Sequence, residues 1–343
     1  MGKEFGWGKL AAGVLVLALL VVAVFAFGQG QPGTGYVTAS QQKELEQVTA
    51  IMPFSPAAEW LPFYAAINEG YYEQEGLNVT IVYTFEGAFG AVKQVAAGKA
   101  QFGLAGADPV IIARSQGIPV MSVYQIEHES QWGILTKKSS GLEKPADLAG
   151  KTIAIPGPGC TADIIPRTIL ANAGVQNVTF ISVGAQLLPS FLEGKVDAMP
   201  SYLLFEELLK AKGVEFNVIR ATDYGANFVA GNIITSDDIA FNNPELAGKF
   251  VRATAKGLDY AIKNPDKAVD EYIRNFNPEG AELAGVEKSF WKREVAESIN
   301  PDKYALGWID TERWQWMQDK MYEDGFVTTK TDLTKAYTSK YIG

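Results

Sequence analysis

The chain has 343 residues, too many for one small core, and this predicts two lobes. Its net charge of −9, with no clustered Lys and Arg, argues against a nucleic-acid partner. One cysteine and one histidine exclude an internal disulfide, a Cys-rich zinc site and a histidine metal cluster, so neither metal nor cofactor is expected.

Lys3 and Lys9 flank the start of an uncharged apolar run over residues 10–28. That is roughly the ~20 residues that span a bilayer. Residues 1–28 read as a signal or anchor segment, with length favouring an uncleaved anchor over cleavage after Gly28. The lysines put the N-terminal side in the cytoplasm and the rest of the chain outside. Residues 29–47 read as a polar linker.

From Val48 onward, strands alternate with helices. "QVTAIMPFS" leads to a turn at Pro56 and a helix near Pro62. "NVTIVY" is β-branched and predicts a strand, followed by a helix with Phe89, Val92 and Ala96 at helical spacing. "AQFGLAG" predicts the next strand, the Asp108-Pro109 pair opens a helix, and "IPVMSVYQI" predicts another strand. The unit then recurs. "EGLNVTIVY…GKAQFGLAG" is echoed by "AGVQNVTFISV…GKVDAMPS", which predicts two lobes on one plan with mainly parallel sheets. The part from about Pro244 onward reads as helical, with Asp310 capping a helix whose Trp314, Met317 and Met321 form a core stripe.

The segment "GKTIAIPGPGCTADIIPRTIL" holds the only cysteine. It lacks the lysine of a phosphate loop and the third glycine of a dinucleotide fingerprint. Cys160 has no neighbouring base to make it a nucleophile. What is left is a strand, a glycine turn with Gly157 and Gly159, and a helix start capped by Thr161 or Asp163, which together make one wall of a cleft. The same logic selects other strand-end residues as ligand contacts: Ser55, Glu59 and Trp60, then Glu86 and Gly87, then Asp108, Trp132, Tyr202 and Glu206. Bulk added at Gly159 is expected to do harm, because the ligand or the backbone turn needs that space. No catalytic residue and no metal ligand is expected.

"NEGYYEQEGLNVTIV", "VAAGKAQFGLAGADPVIIARSQGIPVMSVYQ", "SSGLEKPADLAGKTIAIPG" and "LEGKVDAMPSYLLFE" resemble the solute-binding proteins of ABC importers. The branch is the one that handles thiamine-pyrimidine precursors, riboflavin, taurine, alkanesulfonates and nitrate. The resemblance implies a two-lobed periplasmic binding protein fold of type II. Each lobe has a mixed, mainly parallel sheet flanked by helices, and two crossover strands lie near residues 120–126 and 227–234. It implies lobe 1 over 48–125, lobe 2 over 126–229, and a return to lobe 1 over 230–343. It also implies a monomer outside the cytoplasm that hands one small molecule to a membrane permease. Pyrimidine binders of the branch carry a Trp and a His near the first helix, where this chain has Trp60 and no His. Strand-end aromatics and carboxylates favour a planar heteroaromatic ligand over a sulfonate, taurine or nitrate. Arg114 and Arg167 fall inside predicted helices. The rival of another class is a thiamine-pyrimidine synthase-like enzyme, which uses pyridoxal phosphate and a sacrificed His.

Overall fold

Short β-branched and apolar runs bounded by glycine turns fold as ten strands in a computed structural model that describes residues 44–342. The predicted anchor and most of the linker lie outside the described residues. Among the described residues no helix is long and apolar enough to cross a membrane.

The strands are β1 (Glu46–Pro53), β2 (Leu77–Thr84), β3 (Phe102–Ala105), β4 (Val120–Gln125), β5 (Gly133–Lys137), β6 (Thr152–Ile155), β7 (Thr179–Ser182), β8 (Ala198–Ser201), β9 (Phe216–Arg220) and β10 (Asn232–Ser236). They form two five-stranded sheets of order β2-β1-β3-β10-β4 and β7-β6-β8-β5-β9. β1 pairs in parallel with β2 and β3, and β6 does the same with β7 and β8. The remaining pairings in each sheet are antiparallel. The sheets therefore match strand for strand, and the recurring sequence unit is a recurring fold unit. Its glycines match too: Gly76 and Gly174 before the second strand, and Gly98 and Gly194 before the third, all have left-handed φ. The chain leaves the first sheet after β4, builds the second, and returns at β10.

Helices α1 (Leu61–Asn68), α2 (Tyr71–Gln74), α3 (Gly87–Ala96) and α4 (Ala107–Ser115) follow strands of the first sheet. Helices α5 (Thr161–Asn172), α6 (Leu187–Leu192) and α7 (Leu203–Ala211) follow strands of the second. After β10 come α8 (Asp237–Asn242), α9 (Pro244–Lys263), α10 (Pro265–Phe276), α11 (Ala284–Glu294) and α12 (Thr311–Glu323). Asn243 caps α9 and Asp310 caps α12, each accepting a backbone N–H three residues on. The apolar faces of α1, α9, α10 and α11 bury Phe63, Tyr64, Phe250, Tyr272, Phe290 and Trp291. A second cluster joins the two sheets. Ile51, Ile111 and Ile234 share it with Ile134, Ile153 and Ile165, and with the stripe Trp314, Met317 and Met321 of α12, which is fully buried.

α1 and α9 approach each other closely at Gly257. A Cβ on Gly257 would lie 2.0 Å from the Pro62 carbonyl oxygen and 2.9 Å from the Ala66 Cβ. Alanine is favoured over glycine in a helix by about 1 kcal/mol, but overpacking a close-packed contact costs about 1–3 kcal/mol. Gly257→Ala is therefore expected to destabilise the protein, read as a lower denaturant midpoint with an unchanged slope. A raised midpoint would show that the two helices have slack between them.

Candidate functional site

The carboxyl ends of β1, β3, β6 and β8 turn into helices, so side chains and free N–H groups gather above those ends. Two contacts cross between the sheets there. The Tyr202 hydroxyl, at the N-cap of α7, donates to Glu59 in the helical turn after β1. The Thr161 hydroxyl, at the first residue of α5, donates to Asp108 Oδ2 in the first turn of α4. A third link lies to one side, where Arg293 and Ser289 of α11 bond to Glu206 and Glu207 of α7. The two walls are closed on each other.

Asp108 is fully buried. Gly106 makes room for its carboxyl, since a Cβ there would lie 2.5 Å from Oδ1. That Oδ1 has no partner, and burial pushes the carboxyl up to about 7, only partly offset by the Thr161 hydrogen bond. Glu59 is also driven well above the usual carboxylate range, first by burial and then by the charge of Glu127. Tyr202 sits among rings, 5.3 Å from Trp132, 5.8 Å from Phe205 and 5.9 Å from Phe290. Trp132, Tyr202 and Glu59 thus come together, and Asp108 and Thr161 form a separate pair.

The other sequence-selected residues divide. Trp60 is buried in the first core cluster, its indole N–H donating to the Ser55 carbonyl at 3.0 Å. Ser55, Glu86 and Gly87 lie at the outer end of β1 and β2, where Glu86 is exposed and paired with Lys93. Glu206 is buried and fully engaged by Ser201, Arg293 and a two-pronged bond from Arg220 at 2.6 and 2.7 Å.

The glycine turn has a different cap from the expected one. Cys160, with extended backbone, is the N-cap of α5, and Thr161 is already helical. Asp163 instead accepts from Gly159 N at 2.8 Å and from Arg167 Nε at 2.6 Å. The Cys160 thiol donates to the Gly157 carbonyl, and burial pushes its pKa up. A Cβ on Gly159 would meet no protein atom within 4 Å, so the protein's own packing does not exclude a side chain there. Its φ of +76° is what requires glycine.

Sequence reasoning missed two deeply buried carboxyls, Glu127 and Glu294. Glu127, directly after β4 in the crossover, is 1% exposed and accepts from Gln131 Nε2 at 2.8 Å and Ser298 Oγ at 3.1 Å. Glu294 of α11 is equally buried and lies against it. A signal existed in α11: Glu287, Phe290, Trp291 and Glu294 share the buried face of one helix. The turn of π-helix that follows, Val295–Ile299, delivers Ser298 to the crossover.

The family model described as NMT1/THI5 like matches residues 57–268. The riboflavin-binding protein RibY of Chloroflexus aurantiacus is 31% identical over 352 residues, covering 97% of each chain. The formylaminopyrimidine-binding protein of Halalkalibacterium halodurans is 28% identical over 86% of this chain and 93% of that one. Among solved structures, the alkanesulfonate-binding protein SsuA from Xanthomonas axonopodis pv. citri, bound to MOPS, shares the fold. It aligns with a TM-score of 0.67 at 17% identity, over 86% of this chain and 99% of the other.

Asp108 gives a pH prediction. An unfolded aspartate loses its proton near ~4, whereas the folded Asp108 keeps it up to about 7. Between those values the folded state binds more protons, so this residue's contribution to stability falls as pH rises and levels off above about 7. Asp108→Asn should therefore gain stability relative to the parent from pH 4 to pH 8, by denaturant titration. A pH-independent difference between the two would show that the carboxyl titrates normally.

Proposed function

Because the chain belongs to the NMT1/THI5-like family, we propose that it is the solute-capturing component of an ABC importer. It takes one small planar heteroaromatic molecule between its lobes, pyrimidine or thiamine-precursor-like or riboflavin-like, and presents it to a membrane permease. The observation that carries this reading is the pair of interlobe contacts, Tyr202 to Glu59 and Thr161 to Asp108, with Trp132 and Phe205 packed on the Tyr202 ring. Aromatic faces stack on a planar ring, and carboxyls accept from its N–H groups. The names of the two relatives support the same ligand class. The lobes of this reading are residues 48–125 with 230–343, and residues 126–229, joined at the two crossovers. The contact set is Trp132, Tyr202, Glu59, Asp108 and Thr161, with Ser55, Glu86 and Gly87 at the rim and the turn from Gly157 to Cys160 as wall.

A sulfonate, taurine or nitrate ligand is disfavoured by the arginines. Arg114 pairs with Asp237, Arg167 with Asp163, Arg220 with Glu206, and Arg293 with Glu206, Glu207 and Glu297. Each guanidinium is already neutralised by a carboxylate, so an anion would have to break an ion pair to recruit one. The pyrimidine-synthase reading needs a reactive histidine. His128, the chain's single histidine, is 1% exposed, hydrogen-bonded to Gln125 and stacked on Tyr304. The protein works as a monomer outside the cytoplasm, held at the membrane by residues 10–28.

Calorimetry against aminopyrimidines, riboflavin, taurine and nitrate should show one site for a heteroaromatic compound, with no product formed from it. Losing the Trp132 ring should cost about 1.4 kcal/mol, or about tenfold in affinity, in Trp132→Ala. Tight binding of taurine or nitrate alone, or turnover of the bound compound, would replace this reading. The anchor is checked separately. The exported protein should retain its N-terminal segment, and a mature sequence starting near Gln29 would show a cleaved signal instead.

A further inference from the structure

Three glutamates from three separate elements converge behind Tyr202. Glu59 comes from the turn after β1, Glu127 from the crossover after β4, and Glu294 from the end of α11. The Glu127 and Glu294 carboxyls face each other within hydrogen-bonding reach, and both side chains are 1% exposed. Two bare carboxylates would repel at that range in a dry site, so the pair holds a proton between them. Burial drives all three above the ordinary carboxylate range; neighbouring acids add to this at Glu59 and Glu294, whereas hydrogen bonds partly offset it at Glu127.

The surroundings do not supply a counter-charge. Glu287, on the same face of α11, adds a fourth carboxyl, which accepts from the Ala58 N–H at 2.9 Å. Arg293, next in sequence to Glu294, is committed to Glu206, Glu207 and Glu297. The groups that do reach the cluster are neutral: Ser298 and Gln131 on Glu127, and the Tyr202 phenol on Glu59.

A second observation is independent of the acids. Gln131 is 3% exposed and donates its amide N–H to Glu127, while its carbonyl Oε1 is buried without any partner. Glu294 Oε2 likewise receives no donor. Buried acceptors left bare are costly, and a ligand that supplies donors recovers that cost. The group that fits carries several N–H donors on one edge and tolerates positive charge, as an amidine or a basic aminoheterocycle does.

Resting on the reading of the cleft as a ligand site, we infer that Glu59, Glu127 and Glu294 bind the ligand's basic, N–H-bearing edge. The cluster exchanges its shared proton for that edge, and Tyr202 holds the empty seat by donating to Glu59. The proton balance depends on the charge of the incoming group. A neutral aminoheterocycle takes the proton onto its ring nitrogen: the carboxyl O–H bond breaks, the N–H bond forms, and nothing leaves the protein. A group that arrives already charged displaces the proton to solvent.

Calorimetry of the full chain at pH 8 tests this with benzamidinium, which is charged there, and 4-aminopyrimidine, which is not. Titrations in phosphate and in Tris separate buffer ionisation from binding. Benzamidinium should release about one proton and 4-aminopyrimidine about none, as linkage requires. Glu294→Gln and Glu127→Gln keep side-chain size, and each should weaken benzamidinium by about tenfold or more and reduce the released proton. Melting curves of these variants verify that they fold. If benzamidinium binds with no proton release, or if both Gln variants leave its affinity unchanged, the cluster is not the seat. If riboflavin binds while both probes fail, this inference falls and heteroaromatic capture stands. If none of the three binds, capture itself is overturned.

Discussion

Carboxyl groups removed from water set the terms on which this molecule closes. A buried carboxylate needs either a cation or a set of donors, and without them it keeps its proton. The chain uses both outcomes side by side. Glu206 is held by the Arg220 fork and by Arg293, an ion-paired assembly that ties α7 to α11. Asp108 and Glu59, by contrast, meet only hydroxyls, from Thr161 and Tyr202, and their carboxyls are driven upward by burial. The first arrangement is saturated and has nothing left to offer a ligand. The second is unsaturated, because Asp108 Oδ1 faces no donor at all.

The repeated fold unit explains why there are two such contacts. Strand for strand, β1 corresponds to β6 and β3 to β8. The Asp108–Thr161 contact joins the end of β3 to the end of β6, and the Glu59–Tyr202 contact joins the end of β1 to the end of β8. Under the correspondence each contact maps onto the other. A pseudo-twofold relation between the sheets therefore produces two acid–hydroxyl clasps. The side chains are not identical, because the repeat preserves the placement of helix starts and not their chemistry. Asymmetry enters from outside the repeat, through α11 and its π-helical end, which bring Glu294 and Ser298 against the first crossover.

Much of this was legible in the sequence. Strands such as Leu77–Thr84 and helices such as Pro244–Lys263 follow from β-branched runs, helical spacing and glycine placement. The echo of Gly76 in Gly174 was a true repeat. Strand-end logic singled out Glu59, Asp108, Thr161 and Tyr202, and these four do meet in pairs across the two sheets. The same logic gave no depth information. It could not tell that Trp60 turns into the core, that Glu86 stays on the rim, or that Glu206 is consumed by arginines distant in sequence. Glu127 and Glu294 were out of reach for a different reason. Their meeting depends on a crossover and a late helix that are 167 residues apart (294 − 127) and share no local pattern. Only the apolar stripe carrying Glu287 and Glu294 hinted that α11 buries acids.

The closed arrangement without ligand also sets a threshold for binding. Each interlobe hydrogen bond contributes about 1 kcal/mol net, and more where the partner is charged. On the proposed reading, a ligand would first separate Tyr202 from Glu59, so its apparent affinity would be scaled by the fraction of time the two are apart. A molecule with one or two donors recovers little more than the phenol supplied. A molecule that also feeds Gln131 Oε1 and Glu294 Oε2 satisfies groups that the empty protein leaves bare. Selectivity therefore need not come from a tight rigid pocket. It follows from counting donors: the empty site already has one hydroxyl in place, and only a ligand that brings more than that hydroxyl closes the lobes more firmly than they close on themselves.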